Sequence, residues 1–427
     1  MSPPMRFPEL PNAPAALKAE LLITTPMFLG DGGQRATSIR PPSIKGALRF
    51  WWRALQWPRL YQRHGQVSSA LADLHAQEAE LFGLAAGHKK AHSDNSNNHE
   101  TGGQGRFRIR IAQPEVKLEN DYRPPASVQY LLGQGLYNLS DGVLRKPLKQ
   151  CSRFALELTA KPGRHTVTEA QWKCLEEALL CWGLLGGLGA RARKGFGSVS
   201  LQTLEGGAYQ APQNREEYET LLQTLLSTLQ GQDGKLPPFT AFSSVSRVDI
   251  ALEGKSTDKV LETLGDEMQM YRAYGYKGYV GKKEAERKFI NDHHNVLHAA
   301  ETGYLLHCPR RVVFGLPHNY KFSSLPSPNN KVDISSDYGE ADRRSSPLLL
   351  HIHELPNGKA LGVGALLPAV FLPAREALKV KARGKTSRLS LHLGDIDWTV
   401  LHDYLDRFAQ RKSLIAPLIP NAQEAQG

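Results

Sequence analysis

The sequence predicts an α+β fold of two tandem ferredoxin-like domains, on three observations. A chain of 427 residues exceeds the roughly 250–300 that one hydrophobic core serves, so it divides. In the first half the apolar and turn-forming segments fall in the order strand, helix, strand, strand, helix, strand. Residues 206–240 mix Gly, Gln and Pro around one helical stretch near Tyr218 to Leu229, as a domain junction does. The expected division is a first domain over 1–205, a linker over 206–240 and a second domain over 241–427 that repeats the fold around a long loop at 316–347.

Each element has a local reason. Leu17 to Thr25 alternates as a first strand does and stops at Pro26 and Gly30-Asp-Gly-Gly33. Pro41-Pro42-Ser43 then opens a helix with Ser43 as its expected N-cap, and Ile44, Leu48, Trp51 and Leu55 recur along one face. The almost wholly polar stretch 86–104 reads as a mobile insertion. Arg106 to Ile111 and Arg153 to Thr159 are the next strands. Thr168-Glu-Ala-Gln171 has the capping-box pattern and opens a second helix with Trp172, Leu175, Leu179 and Trp182 as its stripe, followed by a strand from Gly197 to Gln202. In the second half, strands are expected at Ser243 to Ile250, Arg311 to Phe314, Leu348 to His353 and Ala360 to Leu367. Helices are expected at Asp258 to Tyr271 and Ile396 to Phe408.

With 41% apolar and 22% charged residues, the composition excludes wholesale disorder. The longest apolar stretches, Ala178 to Ala190 and Leu361 to Leu372, are too short to span a bilayer, and the N-terminus lacks the pattern of a secretory signal; a cytoplasmic protein with no membrane partner is expected. Four scattered cysteines supply neither a disulfide framework nor a Cys-x-x-Cys zinc pair, so no metal or cofactor is expected. Against 42 Asp+Glu stand 53 Lys+Arg, a net charge of +11, which calls for an anionic partner without naming one.

The positions of those charges narrow the choice. Arg35, Arg40, Lys45, Arg49, Arg53, Arg59 and Arg63 occupy a window from Gln34 to Arg63 that contains no acid. Lys45, Arg49 and Arg53 share one helical stripe, where like charges repel unless an anion or an acid from elsewhere in the fold relieves them. Gly186-Gly-Leu-Gly-Ala-Arg-Ala-Arg-Lys-Gly-Phe-Gly197 leads from a helix into a strand, the reverse of a dinucleotide fingerprint, and has no Walker A ending. It reads as a flexible loop whose Arg191, Arg193 and Lys194 neutralise phosphates, against the plainer reading of a helix cap and turn. Tyr271, Tyr274, Tyr276 and Tyr279 interleave with Arg272, Lys277, Lys282 and Lys283, a pattern suited to stacking on unpaired bases, although tyrosines at a helix end also pack inward. Catalytic signals are weak. Asp31 in its Gly loop reads first as a turn former, His64 has no partner in sequence, and no catalytic residue is assigned.

Thr25-Pro-Met-Phe-Leu-Gly-Asp-Gly-Gly33 with Arg40-Pro-Pro-Ser-Ile-Lys-Gly-Ala-Leu-Arg-Phe-Trp-Trp-Arg53 resembles the N-terminal signature of the first-subunit family of the Cmr complex, the type III-B CRISPR RNA-guided effector. Phe314-Gly-Leu-Pro317 and Arg343-Arg-Ser-Ser-Pro-Leu348 look like the second half of the same family, and the Gly-rich loop resembles the defining motif of the RAMP superfamily, built from ferredoxin-like (RRM-like) domains. The resemblance implies a non-catalytic, RNA-binding subunit that contacts guide RNA near its 3′ end or target RNA near its 5′ end, beside other Cmr subunits in antiviral defence. By residue it implies RNA contacts at Lys45, Arg49, Arg53, Arg191, Arg193 and Lys194. The charge and aromatic patterns add Arg40, Tyr276 and Lys277. The alternative is a RAMP-type endoribonuclease that processes guide precursor through His64 or Asp31.

Overall fold

The computed structural model of the chain describes residues 15–30, 33, 38–84, 103–162, 166–229, 235–327, 329–337, 342–373, 376–392 and 394–417. Asp31, Arg35 and all but the last two residues of the expected insertion 86–104 lie outside them. The first half runs β1 (Ala16–Ile23), α1 (Pro41–His64), α2 (Val67–Phe82), β2 (Phe107–Ala112), α3 (Ala126–Leu132), the short strands β3 (Tyr137–Asn138) and β4 (Gly142–Val143), β5 (Arg153–Ala160), α4 (Glu169–Leu185) and β6 (Val199–Glu205). Next come α5 (Arg215–Leu226), β7 (Arg247–Gly254), α6 (Thr257–Arg272), the two-residue strands β8 (Tyr279–Val280) and β9 (Lys283–Glu284), and α7 (Ile290–Thr302). The rest comprises β10 (His318–Lys321), β11 (Lys331–Ser336), β12 (Leu348–Glu354), β13 (Ala360–Leu366), β14 (Ala377–Ala382), β15 (Lys385–Ser390), α8 (Thr399–Asp406) and β16 (Lys412–Ile415). The architecture is mixed α+β with antiparallel sheets.

Local chemistry sets most boundaries, with one correction at α1. Its N-cap is Arg40, not Ser43: Pro41 and Pro42 occupy the first turn, where a missing N–H costs nothing and the fixed φ is already helical. Thr168 and Gln171 form the full capping box at α4. Two expectations fail in the second half. Arg310–Phe314 is a 3-10 helix instead of a strand, and the expected loop at 316–347 contains β10 and β11.

Two of the sheets share an order. The first is β2-β5-β1-β6, reached through β1, α1, β2, β5, α4, β6; another is β12-β13-β7-β16, reached through β7, α6, β12, β13, α8, β16. In both, the first strand lies between the third and fourth strands of its unit. The second unit is interrupted twice: β10 and β11 leave after α6, β14 and β15 leave after β13, and the four join as a separate sheet, β10-β11-β14-β15.

The faces differ in burial. Leu17, Leu21, Phe154, Leu156 and Leu158 turn toward α1 and α4, whereas the other face of that sheet carries the ion pairs Lys18–Glu205, Arg153–Glu20 and Arg110–Glu157. The strands β12 and β13 are instead buried on both faces, which explains their nearly unbroken apolar runs. Leu348, Leu350 and Ile352 join the core of α6 and α8, while Leu349, Leu361 and Val363 join Trp51, Trp182 and Tyr218 from α1, α4 and α5. The stretch expected as a linker therefore supplies a packed helix, with Tyr218, Leu222 and Leu226 fully buried.

The edge strands β6 and β12 meet at this seam. The outward N–H groups of Leu350, Ile352 and Glu354 donate to Arg193 O (3.1 Å), Ser198 Oγ (3.2 Å) and Ser200 Oγ (2.9 Å). A loop carbonyl and two serine hydroxyls thus replace a missing strand and satisfy an edge that would otherwise be open.

Candidate nucleic-acid interface

The α1 stripe is largely neutralised. Arg49 donates from Nε to Glu78 on α2 at 2.7 Å and pairs with the same carboxylate through its terminal nitrogen, and Arg53 approaches Glu78 at 3.8 Å. Farther along, Arg59 pairs with Glu177 on α4, and Arg63 and His64 both pair with Asp73. The acids missing from the sequence window are supplied by two other helices. Arg49 and Arg53, expected as RNA contacts, are partners of a buried glutamate with their side chains still about 40% exposed. Arg40, exposed and bonded to Gly30 O, and Lys45 have no acid among the described residues. Burial, then Arg49 and Lys161, lowers the Lys45 pKa.

The Gly-rich loop starts at Gly186, where α4 ends, and returns at β6. Its glycines serve the protein's own packing. A Cβ at Gly189, whose φ is +93°, would stand 2.5 Å from Phe28 O, and one at Gly197 would stand 2.1 Å from Leu188 O. The loop cations are also drawn inward. Arg191 donates to Leu132 O (2.6 Å) and Gln134 O (2.7 Å), and Arg193 bonds Ser346 O while its guanidinium lies 5.2 Å from the Phe50 ring centroid. Lys194 differs: among the described residues its ammonium has no hydrogen bond or ion pair, while its backbone bridges to Leu350 of β12.

Around Lys194 the seam gathers cations from both halves. Burial first, then Arg272 and Arg191, push its pKa down to about 7. Arg193 is pushed down to about 10 by burial and Arg344, Arg191 is lowered by burial and Arg343, and His318 is driven well below its ordinary value by burial and by Arg272, Arg311 and Lys194. Arg272 lies 4.2 Å from the Phe314 ring centroid and 6.0 Å from that of Tyr130, and its Nε is buried without a partner. The carboxylates paired here are Asp292, which binds Arg311 at 3.4 Å, and Asp342, 3.7 Å from Arg343. Like charges crowded at low dielectric with fewer acids than cations raise the affinity for an anion. Sequence reasoning missed Arg311, His318, Arg343 and Arg344 as members of this cluster. The motifs Phe314 to Pro317 and Arg343 to Leu348 beside them were the available signal.

Beyond α6 the chain turns into a small hairpin. Tyr276 and Tyr279 exchange backbone hydrogen bonds, and their side chains are 71% and 57% exposed. The Lys277 ammonium lies 5.6 Å from the Tyr276 ring, and Lys282 and Lys283 are exposed nearby. Only part of the tyrosine run has this freedom: Tyr271 is core and donates to Val400 O at 2.9 Å, and Tyr274 stacks on His293 at 3.6 Å. The hairpin thus pairs two open rings with three lysines.

Cavity size does not identify the site. The larger cavity, about 1560 Å³, lies beside β6 and α5 and is lined by Glu20, Glu205, Glu216 and Glu217 against one cation, Lys18, so it repels a polyanion. A smaller groove of about 240 Å³ runs between α1 and the loop, lined by Ala47, Phe50, Leu188, Gly189, Ala192 and Arg193. Among the described residues no group of three or more His, Cys, Asp or Glu could hold a metal, and no helix is long and apolar enough to cross a membrane.

Residues 20–200 match the RAMP superfamily. The crystal structure of Cmr1 from Pyrococcus furiosus in its apo form is similar to the chain with a TM-score of 0.50 and 17% identity, covering 94% of this chain and 99% of that one. A chain in the cryo-EM structure of the type III-B Cmr-beta bound to cognate target RNA gives a TM-score of 0.49 at 12% identity, covering 92% and 99% respectively. No curated protein matches in sequence.

Proposed function

We propose that this chain, whose residues 20–200 belong to the RAMP superfamily, is a non-catalytic RNA-binding subunit of a type III-B CRISPR effector, working with guide and target RNA beside other Cmr subunits. The observation that carries this reading is the seam itself, where Lys194, Arg191, Arg272 and His318 gather with Asp292 and Asp342 as the paired acids among the described residues; four residues beyond Arg272 the chain presents the exposed Tyr276, and then Tyr279. Cations hold a backbone and open rings stack on unpaired bases, the combination single-stranded RNA requires. The shared order of the two sheets supports two ferredoxin-like domains, the first ending near residue 205 and the second beginning near 241. Arg40 and Lys45 extend the charged surface along α1, and Lys277 extends it along the hairpin. His64, on which the endoribonuclease alternative would draw, is paired through Nε2 with Asp73 at 2.8 Å, and Asp31 lies outside the described residues.

Binding of single-stranded RNA, followed by fluorescence anisotropy, tests the reading. Tyr276→Ala/Tyr279→Ala should weaken binding roughly 30-fold or more, because each of the two stacked bases contributes about 1–3 kcal/mol, and should leave the salt slope unchanged. An unaltered affinity would remove the hairpin from the interface.

Lys194 adds a pH signature. Its free-state pKa is about 7, and a bound phosphate raises it, so binding takes up a proton above that pH. Affinity is therefore expected to fall as pH rises above 7, toward tenfold per unit at most, and Lys194→Arg should abolish the dependence. A wild-type affinity that stays level between pH 7 and pH 9 would show that Lys194 does not meet the phosphate.

A further inference from the structure

The inserted sheet β10-β11-β14-β15 has one buried and one open face. Val332, Ile334, Leu378 and Val380 turn inward against α7, so alternation sends Lys331 and Asp333 of β11 and Lys379 and Lys381 of β14 outward. The register places Lys321 opposite Lys331, Lys379 opposite Arg388, and Lys381 opposite both Asp333 and Thr386. The open face thus carries five cations, Lys321, Lys331, Lys379, Lys381 and Arg388. Two acids accompany them: Asp333 accepts from Asn319 at 2.6 Å, and Asp337 pairs with Arg388.

Edge protection accounts for part of this pattern only. Lysines on an edge strand deter another sheet from adding, and that covers Lys321 on β10 and Arg388 on β15. Lys331, Lys379 and Lys381 lie on the two central strands, where pairing is complete, and two of the directly opposed pairs are like-charged, an arrangement that destabilises a sheet. Among the described residues none of the four lysines has an ion pair. An anionic surface laid across the face would relieve both costs.

We infer that the open face of this sheet binds the sugar–phosphate backbone of double-stranded nucleic acid without reading its sequence. The side chains select the partner. Protein interfaces are depleted in lysine at their centres and enriched in aromatic residues, whereas this face offers lysine, arginine, asparagine and hydroxyls, with no aromatic ring on its outward positions. Tyr320, the aromatic of β10, turns the other way and lies against Arg311. Proteins that hold single strands add stacking rings to their cations, and the face lacks them. A duplex keeps its bases inside and presents phosphates alone, which matches a flat array of cations in adjacent strands about 5 Å apart.

The test is independent of the single-strand interface. Lys331→Gln/Lys379→Gln/Lys381→Gln in the full chain should weaken binding of an arbitrary-sequence RNA duplex at least tenfold. It should also make the slope of log K against log salt shallower by about 2 to 3, while single-stranded RNA binding stays within twofold. The variant's thermal melt checks its fold. Lysine acetylation of the wild-type chain gives a second readout in which duplex RNA protects these three positions. Unchanged duplex affinity and slope in the variant, absence of protection, or protection by polyglutamate but not by duplex would each overturn the inference, the last in favour of an acidic protein partner.

Discussion

Gly197→Ala is expected to destabilise the chain by roughly 2–5 kcal/mol, the sum of a left-handed backbone imposed on alanine and a clash that cannot relax. The φ of Gly197 is +59°, and a Cβ there would stand 2.1 Å from Leu188 O. Neither side can yield easily, because Gly197 N donates to Pro26 O at 3.0 Å and Gly197 O accepts from Leu188 N at 2.9 Å. The loss should appear as a lower urea midpoint with an unchanged m-value. Gly46→Ala is the control: it lies in α1 with nothing within 4 Å of its would-be Cβ, and should stabilise by about 0.5–1 kcal/mol. Equal effects of the two substitutions would contradict the packing role of the loop glycines.

Mild acid should separate the two halves before it disturbs the ion pairs. His351 and His353 of β12 are buried at the seam, where His351 Nδ1 lies 2.8 Å from Gly186 O and His353 Nδ1 lies 3.2 Å from Ser200 Oγ. Burial pushes His351 down to about 4, opposed by its bond to Gly186, and burial followed by His351 drives His353 well below its ordinary value. Burial likewise brings His293 and His402 to about 4. With folded values below the unfolded 6.5, the unfolded chain binds more protons between about 4 and 6.5, so stability is full above 6.5 and falls as pH drops through that window. For His351 the loss at pH 5 is on the order of 2 kcal/mol. The lowered carboxylates Asp73, Glu219 and Glu286 act only at lower pH, since their ordinary values are 3.8, 4.5 and 4.5. Urea titrations at pH 7.5 and 5 should therefore differ clearly, and His351→Gln should narrow the gap. Coincident curves would place these histidines in contact with solvent.

Legibility followed range. Thr168 and Gln171 are three residues apart, and their capping box forms as read. Most of the strands and helices of the first half were legible for the same reason, since alternation and helical spacing are local. α2 went unread, and with it Glu78, the acid that binds Arg49 and Arg53 from about 30 positions away. β10 and β11 were hidden in a polar, Pro- and Asn-rich span: they pair with each other, but β11 completes its ladder only against β14, some 40 to 50 residues farther on. The candidate site was half visible: Lys194 and the Tyr276–Lys277 turn stood out, but Arg272 beside Phe314 and His318 near Lys194 depend on two halves meeting.

By itself the sequence determined the class of fold, the placement of the basic and aromatic segments, and the glycines of the loop, because backbone freedom, periodicity and charge are properties of neighbouring residues. Only the tertiary structure decided which cations are spent on the protein and which remain. Arg49, Arg53, Arg191 and Arg193 are bonded to groups that folding brings from elsewhere, and among the described residues the Lys194 ammonium is left without a partner. The physical reason is that a cation's availability depends on the acids and carbonyls within a few ångströms, and those arrive with the packing of α2, α3 and β12.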